Sequence, residues 1–319
     1  MDCESCEFKG VHSIGDRGLM NQLEVNLKYW FDWAFLKIGA WEDVDHTTPG
    51  VYGGDFSVLR LVTDPDPDYD QGQIWESCRK DWVWENDISY TNAKSGDTIT
   101  PYVVEIKVDG SVVTNYIVNY PQGQIIFDTA IDVDSEVTAK YSSRQIQTYI
   151  ANDTDWWNQL QFSSNRVDDE FFLQTDTGTW TIGSEKRIQM PTIIIEAVPR
   201  TRSTGLELGN GAMWVEQDVY CHVIAEDRRL RNDVMDALLR QFYKTIILFS
   251  TDAIATANDF PLNYRGEIED ADNTFPMLSS LYPYARCQFV NIDAFQVESI
   301  NPKLFNGIVK MTCKVAVDD

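Results

Sequence analysis

"VYCHVIAEDRRLRNDVMDALLRQFYKTIILFS", residues 219–250, changes its hydrophobic period twice, and that change decides the fold. Read from Met213, the segment "MWVEQDVYCHVIA" places Val215, Val219, Cys221, Val223 and Ala225 on one side of an alternating strand. Asp227 then stands where a helix N-cap belongs, and Leu230, Val234, Leu238 and Phe242 repeat at helical spacing. "TIILFS" (245–250) returns to strand. Strand, capped helix and strand in succession predict a layer of sheet covered by helix.

The same stretch gathers Cys221, His222, Glu226, Asp227, Arg228, Arg229 and Arg231. Adjacent strand positions send Cys221 and His222 to opposite faces, so the two cannot act together. Cys221 is in register with the apolar set and reads as core, whereas His222 shares its face with Tyr220 and Ile224. Carboxylates at a helix start are stabilised by unpaired N–H groups, and cations there are disfavoured. Arg228, Arg229 and Arg231 therefore call for an acidic partner, either on a neighbouring subunit or in an exposed salt-bridged face.

Working outward, "TIIIEAV" (192–198) reads as a buried strand, and "ARCQFVNIDAFQVES" and "GIVKMTCKVAV" close the chain as two more after a Pro-, Gly- and Asp-rich stretch at 258–283. Near the other end, Leu23, Leu27, Trp30, Ala34 and Ile38 form a helical stripe over 19–38, with Gly39 as its stop. Between these parts, residues 73–150 alternate apolar and polar positions with frequent turn signals. Asp109-Gly110 marks a tight hairpin, Pro121 and Gly123 a second turn, and Val137, Ala139 and Tyr141 one strand face. Short strands continue through 151–185, with Trp156, Trp157 and a hairpin at "TDTGTWTIG". "DPDPDYDQG" (64–72) has aspartates at alternate positions, but Pro65 and Pro67 hold it extended, so it reads as a boundary linker rather than a calcium loop. The expected class is α+β. An N-terminal arm (1–18) precedes an α/β sandwich core (19–62 plus 186–319), and the core carries an inserted all-β module (63–185).

Fifty acids against 26 bases give a formal charge of −24, which repels nucleic-acid phosphates and argues against a protein that grips DNA. The same charge suits a surface that DNA passes without adhering, though solubility alone also explains it. No apolar run is long enough to span a membrane. The six cysteines are scattered and read as reduced, consistent with assembly in a cytoplasm. There is no Gly-rich phosphate loop, no "GxSxG" and no "HExxH". His12, His46 and His222 lie far apart, and "CESC" near His12 lacks the second pair of a zinc site. No catalytic, metal or cofactor residue is expected, although a carboxylate dyad among so many acids stays open.

The order of buried strand, long strand, capped helix, strand, loop and two closing strands resembles tail terminator and neck proteins of tailed bacteriophages. The segments "CRKDWVWENDISY", "NYPQGQIIFD" and "VTAKYS" are similar to β modules of phage virion proteins. This resemblance covers residues 19–62 and 73–319. It implies a structural virion protein at the head–tail junction and no enzyme. Copies would close into a ring, a hexamer by family habit, between connector and tail tube or sheath, with DNA passing through. Arg228, Arg229, Arg231, Trp156 and Trp157 are the expected subunit-interface residues, while Trp82 and Trp84 are expected in the module's own core. The large β insertion and the acidic arm depart from a minimal terminator. A baseplate or fibre-attachment protein, or a carbohydrate-binding β protein, remains the alternative.

Overall fold

The computed structural model describes residues 18–50, 56–63, 65, 67–154, 156–157, 172–174, 180–182, 186–205, 213–296 and 304–317. The expected arm, with Cys3, Cys6 and His12, lies outside them apart from Gly18.

Helix α1 (Leu19–Lys37) opens the described chain and ends where Gly39 takes φ +84°, a conformation a side chain resists. Strands β1 (Trp41–Val44), β2 (Arg60–Leu61), β3 (Ile74–Glu76), β4 (Tyr90–Thr91) and β5 (Thr98–Ile99) follow. Next come β6 (Glu105–Val108), β7 (Ser111–Val113), β8 (Tyr116–Asn119), β9 (Gln124–Phe127), β10 (Val137–Arg144) and β11 (Gln147–Ile150). Three short strands, β12 (Phe172–Gln174), β13 (Trp180–Ile182) and β14 (Lys186–Ile188), form a small antiparallel sheet. The long strands β15 (Thr192–Gly205) and β16 (Met213–Ala225) lead to α2 (Arg228–Leu239) and β17 (Thr245–Phe249). Helices α3 (Thr251–Ala257) and α4 (Phe275–Leu281) precede β18 (Pro283–Gln296) and β19 (Phe305–Val317). The fold is α+β.

Six strands make the principal sheet, in the order β11-β15-β16-β19-β18-β17. It is mixed: β11 runs parallel to β15, and every other pair is antiparallel. The alternation read in the sequence has a direct cause here. Val219, Cys221 and Val223 point, with Ile193, Ile195, Phe289, Val309, Met311 and Cys313, into one core beneath α1 and α2. Both helices lie on this side of the sheet.

The helix faces differ from the expected stripes. Ile38 is 60 % exposed because it is the C-cap residue beyond the last helical turn, and Phe31 and Phe35 take the buried places. Phe242 likewise falls past the end of α2, whose buried face is Arg231, Val234, Met235 and Leu238. Three polar residues on the buried face of α1 serve backbone groups that the sheet leaves open. Asn26 donates to Phe249 O at 2.9 Å and accepts from Phe249 N at 2.7 Å. Gln22 accepts from Thr251 N at 3.1 Å, and Glu24 accepts from Ala197 N at 2.7 Å, beside the bulge in β15. Buried backbone donors must be paired, and these side chains pair them while setting the helix in register. Burial raises the Glu24 carboxyl, against the lowering effect of the Ala197 N–H.

The β module has its own core between two four-stranded sheets, β1-β10-β6-β7 and β2-β3-β9-β8. Val137, Ala139 and Tyr141 are fully buried in it, as their alternation predicts. Asp109 and Gly110 both take positive φ in the two-residue turn joining β6 to β7. The sheet pairings cross the segment limits expected from sequence. β1 pairs with β10 of the module, and β11 joins the principal sheet only two residues after β10 ends.

Candidate functional site

Helices cover one side of the principal sheet, so its other side is the surface to examine. Period 2 places a row of side chains there across five strands, with Thr204, Trp214, Ala316, Arg286 and Ile247 as successive cross-strand partners. The next row, Arg202, Glu216, Lys314, Gln288 and Thr245, is polar. Ion pairs run along this face, Lys310 to Asp218 at 2.9 Å and Lys314 to Glu216 at 3.9 Å, and Lys314 Nζ also lies 5.1 Å from the Trp214 ring. Among the described residues only one end is covered: Trp157, with the half-buried Trp156, packs over Ile194 and Ile224.

The opposite end is open. Among the described residues β17 has a single neighbouring strand, β18, so its other edge is open except at Phe249, whose backbone Asn26 serves. Ile247 is 50 % exposed on it, and Tyr284, Arg286 and Ala316 frame a hollow of about 640 Å³ beside it. Phe242 and Tyr243, their rings tilted with centroids 4.0 Å apart, are exposed just before the strand, and Leu281 and Met277 just beyond it. Exposed apolar residues in this number at one open sheet edge are the usual mark of a contact surface. The apolar run "IILF" (246–249) suggests a strand buried on both faces. Its place at the edge is set by the long-range pairing of β18 with β19, which no local pattern announces.

The five residues expected at a subunit interface separate into two groups. Arg231 is buried: its Nη1 donates to Asn306 O at 3.1 Å, and its Nη2 and Nε donate to Asn232 Oδ1. It clamps α2 to β19 instead of facing outward, and burial, with Arg228 nearby, lowers its pKa. Trp157 is buried on His222 with ring centroids 4.6 Å apart, and His222 Nε2 meets Glu196 at 3.0 Å. These two residues are spent within their own chain. Arg228 and Arg229 remain exposed, the first 5.4 Å from the Phe305 ring, while Asp227 caps the helix by accepting from Arg229 N and Leu230 N. Trp156 stays half-buried at the edge of the Trp157 ring.

Cys221 lies in the core with Cys287 and Cys313, and burial pushes its thiol up to about 12, far from a reactive thiolate. Among the described residues, no group of three His, Cys, Asp or Glu is placed to hold a metal ion, and no helix is long and apolar enough to cross a membrane.

A second feature was not anticipated from sequence. Between α1, residues 81–85 and residues 262–275 lies a cleft of about 240 Å³, lined by charged and aromatic groups. Arg144, the last residue of β10, donates from Nη2 to Glu85 Oε1 at 2.6 Å and from Nη1 to the Asp32 carbonyl at 3.2 Å. Lys28 pairs with Asp32 at 2.8 Å, one helical turn away, and Thr148 donates to the same carboxylate. Trp82 is stacked on Tyr141 in the module core, as expected, but Trp84 lies half-buried on the cleft wall. In comparisons with known proteins, no family model matches this chain and no curated protein is significantly similar to it.

Proposed function

We propose that this chain is a structural subunit of a phage head–tail junction, a tail-terminator or neck ring whose work is assembly and not turnover. The observation that carries the reading is the α/β layer with helices α1 to α4 on one side, a sheet face that is open on the other among the described residues except where Ala151 and Trp157 pack on it, and exposed Ile247, Phe242 and Tyr243 at the β17 edge. A head-to-tail contact between identical copies joins two different patches and closes into a ring, by family habit a hexamer. Exposed Arg228 and Arg229 on α2 and exposed Glu269, Asp270 and Asp272 before α4 offer patches of opposite sign for such a contact. The net charge of −24 keeps DNA from adhering as it passes. In this role the protein is a virion component that contacts connector and tail proteins, and the β module supplies surface for them.

Light scattering coupled to size exclusion, run at several concentrations, tests the reading. Rings or concentration-dependent polymers, with no retention of duplex DNA at moderate salt, are the expected result. A monomer at every concentration that binds polysaccharide would replace it with the carbohydrate-binding alternative.

A further inference from the structure

We propose that the cleft between α1 and the β module binds one organic cation, a primary ammonium or guanidinium group. The argument begins with a charge count at the cleft wall. While Lys80 acts on Asp81 from outside the lining and bonds to Gln122, the cleft lining holds Asp32, Asp81 and Glu85 against Lys28 and Arg144, one acid more than bases. The pairing identifies which one. Glu85 is taken by Arg144 and Asp32 by Lys28 and Thr148, while the Asp81 carboxylate meets no hydrogen-bond donor among the described residues. The backbone of Asp81 is fixed. Its N–H donates to Pro121 O at 3.1 Å, its carbonyl accepts from Arg144 N at 2.9 Å, and its φ is +53°. A carboxylate held in a cleft without a partner is costly, and a cation of the right size removes that cost.

The walls select the kind of cation. Tyr29, Trp33 and Trp84 line the cleft, and aromatic faces attract organic cations. Trp82 is engaged by Tyr141 at 4.1 Å and Trp33 by Lys37 at 5.8 Å, which leaves Trp84 as the open ring. One spare carboxylate falls short of the ligand set of a divalent metal. The volume of about 240 Å³ is below that of a drug-sized site and suits the head of a side chain. A lysine or arginine of another protein copy and a free amine present the same chemistry. The inference rests on the cleft's charge balance and stands apart from the ring reading.

The test titrates n-butylammonium and N-ethylguanidinium into the full chain at constant ionic strength, followed by the indole N–H resonances. Asp81→Asn is the decisive variant, since asparagine tolerates the left-handed backbone and keeps the shape. Saturable shifts of the cleft indoles are expected above neutral pH, weakening roughly tenfold toward pH 5 as Asp81 takes up its proton, and absent in Asp81→Asn. Lys28, Arg144, Tyr29 and Tyr149 also face Asp81, but nearby carboxylates raise the two cations against the lowering effect of burial, and burial raises the two tyrosines, so all titrate above this range. Asp32, Glu85 and Lys80 face it too, so a pH response that persists in Asp81→Asn overturns the assignment, as does the absence of saturation at about 100 mM of either cation, far beyond millimolar binding. Loss of self-association in Asp81→Asn assigns the cation to a neighbouring copy; unchanged association with lost binding assigns it to a free amine.

Discussion

Arg144 and Glu85 form a 2.6 Å ion pair whose side chains are 7 % and 3 % exposed, at the point where the chain leaves the module and enters the principal sheet. Arg144 ends β10, and Gln147 begins β11 with Nε2 donating to the Arg144 carbonyl at 3.0 Å. The pair thus fixes the joint between two cores. A buried pair contributes little beyond a well-packed apolar replacement, but removing one member leaves the other stranded. Glu85→Ala is expected to destabilise the chain by about 3 kcal/mol, and the double variant Glu85→Leu, Arg144→Met by clearly less. Urea denaturation of the single and double variants measures both. Equal losses in the two would mean that the pair acts through packing alone.

Tyr141 is a second anchor, buried inside the module. Its hydroxyl donates to Phe56 O at 2.8 Å and lies 2.6 Å from Ser77 Oγ, while its ring stacks on Trp82. Tyr141→Phe keeps the ring and strips the hydroxyl, leaving a buried carbonyl with one partner fewer. A loss of about 1–3 kcal/mol is expected by denaturant titration. A smaller loss would show that water reaches Phe56 O.

Local pattern made much of this architecture readable in the sequence. The alternation at Val219, Cys221 and Val223, the cap at Asp227 and the Asp109-Gly110 turn depend on residues close in the chain, and each lies in the structure as its pattern predicts. What escaped depends on distant pairing. β11 was read as part of the insertion because "QTYI" carries no sign that its neighbour is the strand at 192–195. Arg231 looked like a surface charge in a basic run, and only the approach of Asn306 from β19 buries it. The Lys28–Asp32 spacing was present in α1, but the side chains that complete the cleft come from four other segments, at 81–85, 121, 144 and 262–275.

Asp81 gives the chain a pH signature. Burial pushes its carboxyl from 3.8 to about 6, against the lowering effects of Lys28 and Arg144. The folded state therefore holds the proton more tightly than the unfolded state. The stabilisation is complete below the unfolded value near pH 4 and is lost as pH rises through about 6. Asp81→Asn is expected to match the parent near pH 4 and to exceed it by roughly 1–2 kcal/mol at pH 8. Denaturation curves at the two pH values decide this. A constant difference between variant and parent would separate the effect from ionisation of Asp81.

The free edge of β17 yields the prediction closest to function. Ile247 points away from the helix-covered core, half exposed, with Arg286 as its cross-strand partner and Tyr284 beside it. Ile247→Lys removes the apolar contact and places a cation next to Arg286, both of which oppose docking of a second chain at this edge. The side chain is already in water in the single chain, so folding stability should change by no more than about 0.5 kcal/mol. Sedimentation velocity is then expected to show a well-folded monomer where the parent associates. Should Ile247→Lys assemble as the parent does, the open edge of the sheet would not be the contact between copies, and the uncovered face around Trp214 would be the surface left to carry it.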